Sequence, residues 1–204
     1  MKVLFVNGSP KLSKNTSGIV INAISELIES KSEFAECKAT TSTSQDFVSL
    51  LDGCNAVVFS FPLYVDGIPS HLLSLLDDIS NIPSNIKLYT AVNNGYYDAH
   101  QNQLAIQMMK SFCKRSGFIW GQGVGIGAGG MINSAPIGKG PLKNLGKTLS
   151  IFSDNICSLR SDEDLFVEPN FPRFLYLKAA HIGWRSLAKK NGLKSNDLFK
   201  RLDI

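Results

Sequence analysis

Short apolar runs that do not alternate, separated by amphipathic stripes, constrain this chain most. Val3-Leu4-Phe5-Val6 and Ala56-Val57-Val58-Phe59-Ser60-Phe61 are apolar at nearly every position. A strand that reads this way is buried on both faces, as in a parallel sheet covered by helices on each side. Lys87 to Val92 and the glycine-rich stretch Ile119 to Gly127 predict two more strands, and residues 34–39 a weaker one. Between them lie stripes of helical period. Val20, Ala23, Ile24, Leu27 and Ile28 follow Asn15 or Thr16 as an N-cap. Residues 45–51 predict a short helix. Leu72, Leu75, Leu76 and Ile79 follow Pro69, which suits a first helical turn. Ala105, Met108, Met109 and Phe112 run from a cap at Asp98 to a stop at Gly117. Leu142, Leu145, Leu149, Phe152 and Ile156 form one more stripe. Strict alternation of strand and helix predicts an α/β fold with a doubly wound, five-stranded parallel sheet in the order 2-1-3-4-5. A last amphipathic helix over 172–190 closes at Asn191-Gly192. The expectation is a single domain, 1–204, with a core over about 1–160 and a C-terminal helical extension over about 165–204.

Composition narrows the classes. A chain of 204 residues suffices for one well-cored domain. With 44% hydrophobic and 19% charged residues it is not a disordered chain. The net charge of +4 is too mild to argue for nucleic acid, and none is expected as a partner. The charge is also uneven. Residues 1–136 hold 9 basic and 10 acidic side chains, whereas Arg173–Arg201 holds 8 basic residues against Asp197 alone. Phe174, Tyr176 and Trp184 share that tail, which is expected to dock on the domain or on a partner subunit rather than on a membrane. No continuous apolar window reaches membrane-spanning length, and the N-terminal run is cut by Asn7-Gly8, so neither a span nor a signal peptide is expected. Cys37, Cys54, Cys113 and Cys157 have no metal spacing and predict reduced thiols in a cytoplasmic protein. His71, His100 and His181 are scattered, and no metal site is expected from them.

Open α/β sheets bind ligands at the carboxyl ends of their strands. Three loops leave those ends: Gly8–Thr16, Pro62–Pro69 and Asn93–Asp98. The first joins a buried strand to a helix N-terminus, where free N–H groups and the helix dipole favour an anion. Ser9, Ser13, Thr16 and Ser17 add hydroxyls, Asn15 an amide, and Lys11 and Lys14 charge. No acid stands between Met1 and Glu26. A phosphate monoester suits such a loop; the plainer alternative is a capped turn with two solvated lysines.

Gly8-Ser9-Pro10-Lys11 followed by Asn15-Thr16 resembles the phosphate loop of the NAD(P)H-dependent FMN reductases, flavoproteins of flavodoxin-like fold. Phe61 through Pro69 is similar to their second flavin loop, and Asn93-Asn94-Gly95-Tyr96 falls where their third lies. The resemblance covers about residues 1–135. It departs at Lys14, where Ser or Gly is usual, and at Lys11, where Arg is commoner and would supply a bidentate fork. The resemblance implies FMN as cofactor and NAD(P)H as co-substrate. It also implies a small electron acceptor such as flavin or quinone, and a homodimer or homotetramer. The implied cofactor-binding residues are Ser9, Lys11, Ser13, Asn15 and Thr16; Pro62, Leu63, Tyr64, Val65, Asp66 and Gly67; and Asn93, Asn94, Gly95 and Tyr96. Pro62, Leu63 and Tyr64 would wall the ring, and Val65-Asp66-Gly67 would turn N–H groups towards it. No catalytic residue is implied, because the flavin carries the hydride chemistry. A flavodoxin-type electron carrier and a flavin-free interaction protein are the alternatives.

Other signals carry less. Gly125 to Gly130 fits G-x-G-x-x-G but sits late and inside a strand, not at a first strand-to-helix turn. Glycines at 121, 123, 125, 127 and 129 recur with period two, which predicts one closely packed side of a strand, against a neighbouring subunit or a dinucleotide. Gly146-Lys147-Thr148 lacks the earlier glycine of a P-loop, and no G-x-S-x-G elbow is present.

Overall fold

A computed structural model describes residues 1–40, 42–81 and 85–200. Among them, six parallel strands form one sheet in the order β2-β1-β3-β4-β5-β6. The strands are β1 (Lys2–Asn7), β2 (Glu33–Lys38), β3 (Ala56–Pro62), β4 (Lys87–Asn93), β5 (Ile119–Ile126) and β6 (Leu165–Val167). The helices are α1 (Thr16–Ile28), α2 (Ser44–Leu51), α3 (Ser70–Asp78), α4 (Gln103–Ser116), α5 (Lys143–Cys157) and α6 (Arg173–Lys190).

The central strands read as apolar throughout because both faces are covered. Val3, Phe5, Val58 and Ala91 face α1 and α5, packing with Ile21, Ile24, Leu149 and Phe152. Leu4, Val57, Phe59 and Val92 face α2, α3 and α4, packing with Phe47, Leu72, Ile106 and Met109. Each fully buried side chain of this size contributes about 1.5–3 kcal/mol. By contrast β2 is an edge strand with mostly exposed or half-exposed side chains. That is why its sequence signal is weak.

The strand count is the first correction: the sheet has six strands, not five. β6 is only three residues long and pairs with Val124, Gly125 and Ile126 of β5. Three residues are too few to show a period, and Asp162, Glu163 and Asp164 before them hide the run. This strand also moves the expected boundary. Met1–Asn170 forms one compact unit and Phe171–Ile204 a second. Residues 165–170 therefore belong with the sheet and not with the tail. Within the second unit, α6 ends where Leu193 N–H donates to Ala188 O at 2.9 Å. Lys200 pairs with Asp197 at 2.8 Å in the same unit. No helix among the described residues is long and apolar enough to cross a membrane.

The second correction concerns the glycines. The pairing of β4 with β5 shifts between Leu88↔Trp120 and Thr90↔Gly123, so Gly121 and Gln122 both oppose Tyr89. This bulge breaks the period of two. A Cβ at Gly121 would stand 2.5 Å from the Tyr89 ring, which packs on the α5 face against Phe152. Beyond the bulge the glycines face the other way. A Cβ at Gly125 would lie 2.7 Å from Phe166 and 3.0 Å from Ala99 O, and one at Gly127 would collide with Tyr97 O. The close approach is made within this chain, by the segment that follows β4.

The bulge is tied down by polar contacts. Asn155 Nδ2 donates to Gln122 Oε1 at 3.0 Å, and Gln122 Nε2 donates to Glu163 O at 2.6 Å. The Tyr89 hydroxyl lies 3.0 Å from Asn155 O and 2.8 Å from Arg160 O and donates its one proton between them. Burial holds that phenol well above its ordinary pKa, so it stays a donor. Tyr89→Phe is expected to lose about 1–2 kcal/mol of stability. A lower urea midpoint at unchanged slope checks this; an unchanged midpoint refutes it.

Candidate functional site

The carboxyl ends of β1, β3 and β4 lie side by side, and the polar residues there hold one another in place. Asn7 Oδ1 accepts from Ser9 N–H at 3.1 Å, and Ser9 Oγ accepts from Lys11 N–H at 3.3 Å. Asn15 is the N-cap of α1: its Oδ1 accepts from Gly18 N–H at 2.9 Å. Its Nδ2 donates back to Lys11 O at 3.1 Å and Ser13 O at 3.0 Å. One amide thus closes the loop and starts the helix. Asn93, buried at the end of β4, donates from Nδ2 to Ser17 Oγ and to Phe61 O, both at 3.1 Å. Ser60 Oγ donates to Ser17 O at 3.2 Å. These bonds dock the first turn of α1 onto the ends of β3 and β4.

Above them opens a cavity of about 220 Å³, lined by Ser9, Lys11, Asn15, Thr16, Ser17, Pro62, Leu63, Tyr64, Asn93, Asn94, Gly95, Gly129 and Gly130. Lys11 is its one charged lining residue, and no carboxylate lines it. α1 has no acid in its first turn. No protein acceptor among the described residues takes the amide protons of Thr16 or Ser17. Unpaired first-turn amides, a helix N-terminus and a lysine make this an anion cradle. The free cysteines are not among its lining residues. Burial pushes the Cys37 and Cys113 thiols up to about 12, which leaves them unreactive as nucleophiles at neutral pH.

No family model matches the chain. No curated protein matches it either. Solved structures do. An NADH:FMN oxidoreductase superposes with TM-score 0.63 at 12% identity, over 79% of this chain and 91% of that one. A flavodoxin of Streptococcus pneumoniae gives TM-score 0.58 at 10% identity, over 78% and 99%. The chain has the flavodoxin-like fold. The rubredoxin oxygen:oxidoreductase of Desulfovibrio gigas gives TM-score 0.60 at 13% identity over 78% of this chain, which spans only 35% of that longer one.

The flavodoxin-like sheet brings together ten of the expected residues: Ser9, Lys11, Asn15, Thr16, Pro62, Leu63, Tyr64, Asn93, Asn94 and Gly95. Ser13 is exposed and lines a separate depression beside Leu12 and Gly18. Val65, Asp66, Gly67 and Tyr96 do not line the cavity. The second loop differs from expectation in a specific way. Tyr64 N–H donates to Gly67 O at 3.1 Å and Gly67 N–H to Tyr64 O at 3.0 Å, so both amides are spent within a tight hairpin. Its two central residues are left-handed, Val65 at φ 48° and Asp66 at φ 56°, with Val65 fully exposed. Such a conformation is uncommon for a β-branched residue. The amide of Asn15 is also spent internally rather than offered to a ligand. Ser17, one of the loop hydroxyls, also lines the cavity, whereas the sequence reading did not place Gly129 and Gly130 there. The glycines follow β5, the strand beside β4, so strand order was the signal for them. In the sequence Gly129 reads instead as part of the period-two run, and Gly130 as the end of the G-x-G-x-x-G match. Gly129 N–H donates to Asn94 O at 2.7 Å, which links this fourth loop to the third.

Asn15→Ala removes the cap and both loop ties. It is expected to cost about 1–2 kcal/mol of stability. Chemical denaturation measures this, and a variant as stable as the parent would contradict the assigned role.

Proposed function

We propose that the chain is an FMN-dependent oxidoreductase that takes hydride from NAD(P)H and passes it to a small acceptor such as flavin or quinone. The observation that carries this reading is the anion cradle at the start of α1, set at the strand ends of a flavodoxin-like sheet. A cavity of about 220 Å³ is smaller than a pocket for a whole nucleotide. It suits the phosphate end of one. The unpaired amides of Thr16 and Ser17, the Ser9 hydroxyl and the Lys11 ammonium are the groups that would hold that phosphate. Pro62, Leu63 and Tyr64 present apolar surface beside it, and Asn94, Gly95 and Gly129 present backbone. FMN, when bound, supplies the hydride chemistry. The protein's work is to bind and orient, and no side chain need donate or accept a proton at the reacting atom.

A homodimer or homotetramer is part of the reading. An apolar groove of about 770 Å³, walled by Leu73 and Leu76 of α3 and Leu104, Met108 and Phe112 of α4, supports it. Asp77 and Arg115 also line that groove. Sedimentation velocity would return a monomer if this part is wrong.

The test of the reading itself is FMN titration followed by anaerobic reduction. FMN is expected to bind one per chain, and NADH or NADPH to bleach its visible absorption in a second-order step. Lys11→Ala is expected to weaken FMN by about three- to tenfold and to flatten the salt dependence of binding. Binding without bleaching by either nucleotide would favour a flavodoxin-type electron carrier. Absence of binding would favour a flavin-free interaction protein.

A further inference from the structure

We propose that Asp98, His100 and Glu168 form a binding site for one divalent first-row transition cation, separate from the anion cradle. One ligand atom from each of the three side chains lies within 4.8 Å of the other two. His100 Nδ1 is 3.6 Å from Asp98 Oδ1. Sites for these cations place ligand atoms about 2.0–2.2 Å from the metal, hence about 3–4 Å from one another. The exposed side chains of His100 and Glu168 reach that spacing by moving about an ångström.

The chain brings these residues together by identifiable means. Asp98 and His100 sit on the segment after β4, and Glu168 directly follows β6. Gly125 and Gly127 have no Cβ, so Tyr97–Ala99 lies flat on β5 next to Phe166 of β6. Asp98 Oδ1 caps the following 3-10 turn by accepting from His100 N–H at 2.9 Å. That bond fixes the backbone of both residues. The His100 ring stacks on Phe166 at 4.4 Å with 14° between planes. A face-on contact of this kind leaves the ring edge, with its nitrogens, facing outwards. Gly125 and Gly127, which do not line the anion cradle, thus have a role here.

Charge points the same way. Asp98 and Glu168 bring two carboxylates to one spot. Among the described residues no lysine or arginine forms an ion pair with either. Lys147 shares a surface depression with Glu168 but is not paired with it. A dication relieves the repulsion that this arrangement creates. One imidazole and two carboxylates suit Zn²⁺, Co²⁺ or Mn²⁺ better than Ca²⁺, which prefers six to eight oxygens. Three protein ligands leave open positions for water or another ligand. A bound cation would clip the short edge strand β6 to the loop after β4.

The experiment is titration of tag-free, chelator-treated protein with Co²⁺, followed by its visible ligand-field absorption and by calorimetry. One equivalent is expected to bind and to raise the melting temperature. His100→Ala and Glu168→Gln are each expected to weaken binding at least tenfold while keeping the parent's circular dichroism. Three results would each overturn the proposal: no stoichiometric binding by the parent, equal binding by both variants, or equal competition from Ca²⁺. None of these readouts involves flavin, so they stand or fall separately from the reductase reading.

Discussion

Burying the central strands on both faces leaves polar chemistry one place to gather. β1, β3 and β4 are parallel and covered by helices on each side, so their peptide groups are paired and their side chains packed. Only the strand ends can present unspent donors. The polar clasp from Asn93 through Ser17 to Ser60 sits at those ends and converts burial into geometry. It holds the first turn of α1 against β3 and β4, which sets where the unpaired amides point. Loss of the apolar cover would free the strands. Loss of the clasp would leave the sheet but swing the helix start away from the second and third loops.

The legible parts of the sequence were those governed by local chemistry. Unbroken apolar runs marked the buried strands, and Asn15 marked the start of α1 because capping is written in one side chain. Three of the four loops followed from the fold rule alone. What escaped depended on pairing between distant residues. β6 is a strand only because Val124 to Ile126 offers it an edge. The bulge at Gly121–Gln122 exists only in relation to Tyr89. The hairpin at Tyr64–Gly67 was hidden because Val65, a β-branched residue, is a poor indicator of left-handed backbone. Gly67, the residue of this loop freest to adopt left-handed backbone, does not do so: its amide is spent on Tyr64 and its φ is not positive.

Net charge was a poor guide to the site for a similar reason. The excess lies in the separate C-terminal unit, whereas the cradle draws on a helix terminus and one lysine. Partial charges on two backbone amides at short range outweigh formal charges elsewhere that water and salt screen within about 10 Å. The anion preference would survive reversal of the chain's overall charge.

The segment from Asn94 to His100 is where the anion cradle and the acidic-imidazole cluster meet. Asn94 Oδ1 accepts from Tyr96 N–H at 2.8 Å, and its Nδ2 donates to Asp98 O at 3.1 Å, so one side chain braces the whole turn. Ala128 N–H donates to Tyr96 O at 2.5 Å, and Gly127 N–H to Val167 O at 3.0 Å. The backbone of this segment is therefore tied to Ile126 at the end of β5 and to Ala128 after it, and meets β6 through the His100–Phe166 stack, while Asn94 and Gly95 line the cradle at its start. A cation held at its far end would stiffen the same turn that borders the cradle. The coupling would run through hydrogen bonds that already exist, and it would reach the cradle at the third loop without touching α1.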